Sequence, residues 1–170
     1  MDMISAIVYT SNSGYTAQYA RLLGQATGLP VNDLSQMHSP QPDKEVIYLG
    51  WLMAGQVMGL KKALKMFKVR AIRQVGMGPA SRAASAALKA KLGIIGMEVF
   101  TLQGGFDIKK LHGPYKWIML LKCRQIKKML EAKESLNEAQ QMTYDMATKG
   151  ASNVKAENLQ GVIDWYQQNK

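Results

Sequence analysis

Short runs of apolar residues alternate with stretches whose apolar positions recur every three or four residues, from residue 4 to about residue 102. The runs predict strands over 4–9, 29–34, 45–50, 71–76 and 97–102. Between them the spacing predicts helices over about 14–27, 57–67 and 79–92. Leu60, Leu64 and Phe67 mark one face of the second, and Pro79 stands near the first turn of the third. Gly28 and Pro30 punctuate the chain before the second strand, and the segment 35–43, with Pro40 and Pro42, reads as a polar loop. Continuous apolar strands separated by helices imply a parallel sheet covered on both faces, and right-handed crossovers favour a doubly wound arrangement. After Phe106 the pattern changes: charge and long helices dominate, as a basic helical appendage over about 107–135. No linker or repeat divides the chain, so residues 1–170 are expected to form one domain.

The first strand-to-helix junction carries the most chemistry. Thr10-Ser11-Asn12-Ser13-Gly14-Tyr15-Thr16 offers five Ser, Thr and Asn side chains that can donate hydrogen bonds, and no charge of either sign. Its amides lie where a helix begins, and a helix N-terminus favours an anion. Gly14 permits a tight turn against a ligand. Such a loop can hold a phosphate with neutral donors alone. A P-loop would require a Lys after Gly14, and a dinucleotide fingerprint would require two further glycines. Neither is present.

What remains resembles the flavodoxin signature. Ile7, Val8, Tyr9, Ser11, Gly14, Thr16, Ala20 and Leu23 stand at that family's spacing. The resemblance implies a flavodoxin-like three-layer sandwich, α/β, with a five-stranded parallel sheet of order 2-1-3-4-5 and the helical appendage after the fifth strand. It implies FMN as cofactor, with the phosphate on Thr10, Ser11, Asn12, Ser13, Gly14, Tyr15 and Thr16. The isoalloxazine ring would lie between the later loops. One is Trp51, Leu52, Met53, Ala54 and Gly55; the other is Gly76, Met77, Gly78 and Pro79. Trp51 is either a flat contact for the ring or a residue packed under the neighbouring helix. No Tyr stands in the 76–82 loop, where many flavodoxins have one, which leaves one face of a bound flavin open. The loops 10–16, 50–59 and 76–82 contain no Asp or Glu, so a less negative potential is expected than in acidic flavodoxins. The flavin would supply the redox chemistry, and no catalytic side chain is singled out.

Composition bounds the rest. Apolar residues make up 47% of the chain and charged ones 20%, as in a globular domain. The single cysteine, Cys123, excludes an internal disulfide framework and a four-thiolate metal centre, and its apolar helical setting suggests a structural thiol. His38 and His112 are not at metal-ligand spacing and read as surface residues; no metal is expected. Met1-Asp2-Met3 runs into the first strand without a leader pattern, so the expected location is cytoplasmic.

The net charge of +10 sets the chain apart from acidic electron shuttles. It suggests an acidic redox partner or an anionic membrane surface, and the sparse aromatic interleaving disfavours nucleic acid. The clearest concentration lies in 107–133, where eight Lys and Arg face only Asp107 and Glu131. Here Met119, Cys123, Ile126 and Leu130 mark a stripe expected to pack on the core. Residues 117–121 are all apolar, more than one face requires. The segment is either a core helix with a solvated lysine face or an interfacial helix in peripheral contact with a membrane.

Residues 102–111 followed by this basic, Met-rich helix are also similar to the flavodoxin-domain branch that includes menaquinone-dependent protoporphyrinogen oxidases. That likeness implies, as an alternative, a flavin-dependent dehydrogenase acting on a porphyrin, quinone or other small molecule. A third class is a flavin-less binding module that uses its basic face.

Overall fold

The computed structural model describes residues 3–76, 81–94 and 96–170. Its strands are β1 (Ala6–Thr10), β2 (Val31–Asp33), β3 (Glu45–Met53), β4 (Gln56–Val57), β5 (Lys68–Gly76), β6 (Glu98–Gln103), β7 (Gly105–Phe106) and β8 (Ala151–Ser152). The helices are α1 (Tyr15–Thr27), α2 (Leu60–Met66), α3 (Arg82–Leu92), α4 (Pro114–Glu131), α5 (Glu138–Lys149) and α6 (Gln160–Asn169). The main sheet runs β2-β1-β3-β5-β6, with every pair parallel. This is the expected 2-1-3-4-5 order with one short hairpin strand, β4, added at the end of β3.

Alternation along each strand sends successive side chains to opposite faces and builds two cores. On one face Val8, Val46, Tyr48 and Ile72 meet Leu60 and Ala63 of α2 and Leu88 of α3. On the other, Ile7, Ile47, Ala71 and Leu102 meet Tyr19 and Leu23 of α1 and Val162 of α6. The fold is therefore a flavodoxin-like three-layer sandwich. Tyr19 ties its far ends together. Its hydroxyl lies 2.6 Å from the Gln103 carbonyl and accepts from Asn158 Nδ2 at 2.7 Å, joining α1, β6 and the segment before α6.

Three local differences from the sequence reading shape the functional end. Residues 51–53, expected in a loop, continue β3, because Trp51 pairs with Val75 while Leu52 and Met53 pair with Val57 and Gln56. Ala54 and Gly55 close this hairpin with φ of 49° and 75°, the two positive values of a type I′ turn. In consequence α2 starts at Leu60, not near Val57. A further two-stranded sheet, Gly105 against Ser152 and Phe106 against Ala151, anchors the start of the appendage to the chain leading into α6. The predicted start of the third helix falls on residues 79–80, outside the described residues; α3 is described from Arg82, capped by Ser81 Oγ accepting from the Ala84 amide.

Candidate functional site

The carboxyl ends of β1 and β3 lie side by side where the winding of the sheet reverses, the position at which open α/β sheets bind ligands. A cavity of about 450 Å³ opens there. Ser13, Tyr15 and Thr16 come to it from the β1–α1 junction, Trp51, Leu52, Met53 and Ala54 from the hairpin, and Val75 and Gly76 from the end of β5. The appendage supplies the remaining lining: Gly105, Phe106, Leu111, and Met119, Lys122 and Ile126 of α4. The volume falls within the range of small-molecule sites, and a mostly apolar lining with polar groups at one end is their usual character.

The polar end is the start of α1. Gly14 takes φ of 91°, and a Cβ there would meet nothing within 4 Å, so the backbone is open to an approaching group. As N-cap it has no side chain to accept from the first-turn amides. Its own amide donates to Ser11 Oγ at 3.1 Å, which shapes the turn and leaves the Ser11 hydroxyl proton to donate outward.

The other loop residues divide by role. Thr16 is buried beneath the cavity, while Ser13 lines its edge. Asn12 is engaged elsewhere: its Nδ2 donates to the His112 carbonyl at 3.3 Å and its Oδ1 accepts from the His112 amide at 2.9 Å. Thr10 Oγ1 lies 2.9 Å from the Tyr48 hydroxyl, and neither Thr10, Ser11, Asn12, Gly14 nor Gly55 lines the cavity itself. Burial, the largest influence, pushes Tyr48 up to about 12, with Asp33 acting the same way, so its phenol stays neutral beside the loop.

The loop is uncharged as read from sequence, yet the fold brings a lysine ammonium to it. His112, an exposed residue as expected, is tied to Asn12, and Lys110 Nζ sits 5.1 Å from the centre of the Tyr15 ring. The Asn12–His112 pairing helps to hold the basic segment beside the start of α1. An anion placed there meets neutral donors first and the Lys110 ammonium at the rim.

Trp51 lines the cavity and also packs against a helix. Its ring meets Tyr115 of α4 edge to face, with centroids 5.1 Å apart and planes at 87°. Of the expected strand-end residues, Gly76 forms part of the wall; Met77, Gly78 and Pro79 lie outside the described residues.

The contribution of α4 escapes the sequence reading. Met119 and Ile126 were expected to pack on the core in one stripe with Cys123 and Leu130. Instead Met119, Lys122 and Ile126 form a wall of the cavity, while Leu130 is buried and Cys123 is half-buried. Burial pushes the Cys123 thiol up, consistent with a structural role. The signal lay in the spacing of Tyr115, Met119, Lys122 and Ile126, which share one helical face. Gly105 marks the closest approach of this segment: a Cβ there would stand 2.5 Å from Tyr15 Cε1 and 2.6 Å from the Ala151 carbonyl oxygen.

An open helix start with surrounding hydroxyls, next to an apolar slot that bears Trp51 and, among the described residues, no carboxylate, suits a planar apolar group that carries a phosphate ester. No protein-family model matches the chain, and no curated protein matches it.

Proposed function

We propose that the chain is an FMN-binding redox protein that carries electrons through a non-covalent flavin. The observation that supports this most directly is the continuity of the open α1 N-terminus with the 450 Å³ apolar cavity at the reversal of the sheet. Ser11, Ser13, Thr16 and the amides that open α1 would hold the phosphate. Thr10 and Asn12 would shape that loop from behind. Trp51 to Gly55, with Val75 and Gly76, would hold the ring. Bound FMN supplies reversible electron transfer; the protein supplies placement, exclusion of water and electrostatics. A visible spectrum of the purified protein, after incubation with FMN and removal of the excess, tests the reading. Flavin bands near one equivalent are the expected result, and a colourless folded protein would contradict it.

The roof formed by Met119, Lys122 and Ile126 favours a second reading, a flavin-dependent dehydrogenase for a small apolar substrate such as a porphyrinogen, with a quinone as acceptor. A simple shuttle needs only an accessible flavin edge, whereas an apolar wall of this kind can seat a second molecule. Turnover of protoporphyrinogen with a quinone by the FMN-loaded protein would establish it. Among the described residues no helix is long and apolar enough to cross a membrane. A cytoplasmic protein working beside acidic partners or a membrane surface is the setting we propose.

A further inference from the structure

The helix that roofs the cavity carries a second, unpartnered face. At about 100° per residue, Tyr115, Met119, Lys122 and Ile126 cluster on one side of α4, and Trp117, Leu121, Arg124 and Lys128 cluster roughly opposite. The first set meets the cavity or Trp51. The second faces solvent: Trp117 is 72% exposed and Leu121 61%. Ile118 and Met129, also exposed, extend the apolar surface around the flank towards the cavity side. A Trp and a Leu left in water one turn apart are not needed by the fold, since Leu130 and the half-buried side of α4 already pack.

The outer stripe is apolar in its first half and cationic in its second. Lys109 and Lys110 stand exposed just before the helix. The lone acid of α4, Glu131, is engaged at the far end, accepting from the Tyr144 hydroxyl at 2.8 Å with Lys127 Nζ 3.8 Å away. An 18-residue helix spans about 27 Å, yet α4 cannot cross a bilayer. Trp and Leu in line with Arg and Lys on an exposed helix face is the pattern of a segment lying in an interface. Lipid phosphates complement the cations, and the headgroup boundary accepts an amphipathic Trp without requiring a shaped pocket.

We propose that the outer face of α4 docks onto an anionic bilayer surface, with Trp117 and Leu121 entering the headgroup region and Arg124 and Lys128 pairing with lipid phosphates. Docking lays the roof of the cavity against the membrane, with Ile118 and Met129 between lipid and cavity. This inference goes beyond the flavin reading and stands apart from it, because lipid binding and FMN retention are read separately.

The test is sedimentation of the full chain with phosphatidylcholine vesicles, with and without about 30% phosphatidylglycerol. The expected result is binding to the anionic vesicles that weakens in high salt, with little binding to neutral ones. R124Q/K128Q should weaken it about 25-fold, from about 5-fold per cation near a charged surface. W117S/L121S should weaken it at least about 10-fold. Thermal melts of both variants, whose altered side chains are exposed, should match the parent. Absence of binding to anionic vesicles, equal binding to neutral ones, or unchanged binding by either variant would overturn the proposal. A dimer that is lost in W117S/L121S, with no vesicle binding, would instead place a second copy of the chain on this face.

Discussion

Ala54 is the only described non-glycine residue with positive φ, and it stands at the tip of the hairpin whose side chains line the cavity. A left-handed alanine costs about 1–2 kcal/mol, because its Cβ crowds the neighbouring carbonyl. The following Gly55 bears the same sign of φ without that penalty. Ala54→Gly is therefore expected to raise stability by about 0.5–1 kcal/mol, once the greater freedom of an unfolded glycine is offset. Urea unfolding checks this; a loss of stability would show that the Ala54 methyl contributes more by packing than it costs in strain. Such strain beside the cavity was invisible in the sequence, since Ala-Gly is not a standard turn pair. The opposite holds for Gly14: its role at the opening of α1 was legible, because hydroxyls and a lone glycine between a strand and a helix leave few alternatives.

At the scale of elements, β3 and β5 make the most intimate pair of the sheet, and their starting ends are joined by charge. Glu45 is buried at the head of β3, accepting both from Arg70 NH1, at 2.7 and 2.8 Å, and from Lys68 Nζ at 2.9 Å. Burial pushes its carboxyl up, but the hydrogen bonds from Lys68 and Arg70 outweigh that and hold it below the ordinary carboxylate range. A carboxylate with a lowered native pKa stabilises the fold above its unfolded pKa, and that contribution fades as pH falls through the native value. The protein should thus lose stability on acidification below about pH 4.3, and Glu45→Gln should flatten that limb while costing about 1–2 kcal/mol at neutral pH. An unchanged acid limb in the variant would refute the assignment. Lys68 and Arg70 are partly exposed, which is why the cost stays below that of a fully buried pair.

Element types were legible wherever one period prevailed. The strands 45–50 and 71–76 read correctly because apolar residues dominate them, although Glu45, Arg73 and Gln74 are buried there as well. The extension of the first was missed: Gly50 and Gly55 suggested a loop, whereas pairing with Val57, Gln56 and Val75 keeps residues 51–53 extended. For α4, apolar residues on two opposite faces, one on the cavity and one in solvent, blurred the stripe on which its orientation would have been read.

On the whole molecule, charge is segregated. Among the described residues no Asp or Glu lines the cavity, while Lys122 belongs to its wall and Lys110 approaches its rim. Negative charge near a flavin disfavours the anionic reduced form, so its absence, with ammonium groups close by, should raise the potential. A potential less negative than that of acidic flavodoxins is the expected outcome of a dye-coupled reductive titration of the FMN-loaded protein. A value as low as theirs would contradict the electrostatic account. The doubly wound sheet followed from the alternation of elements and its order from the resemblance of residues 7–23 to the flavodoxin signature, which also points to the reversal of the sheet as the place of the candidate site. The walls contributed by the appendage did not, because they depend on long-range contacts such as Asn12 with His112 and Phe106 with Ala151.

The central claim is that the start of α1 and the adjoining cavity act together as a site for a phosphorylated flavin. Equilibrium fluorescence titration with FMN and with riboflavin measures this directly, because the two ligands share the ring and differ in the phosphate. The account predicts one equivalent of FMN bound at least about 100-fold more tightly than riboflavin, as expected for a charged group held by several amide and hydroxyl donors. Equal affinity for the two, or binding of neither by the folded protein, would contradict it.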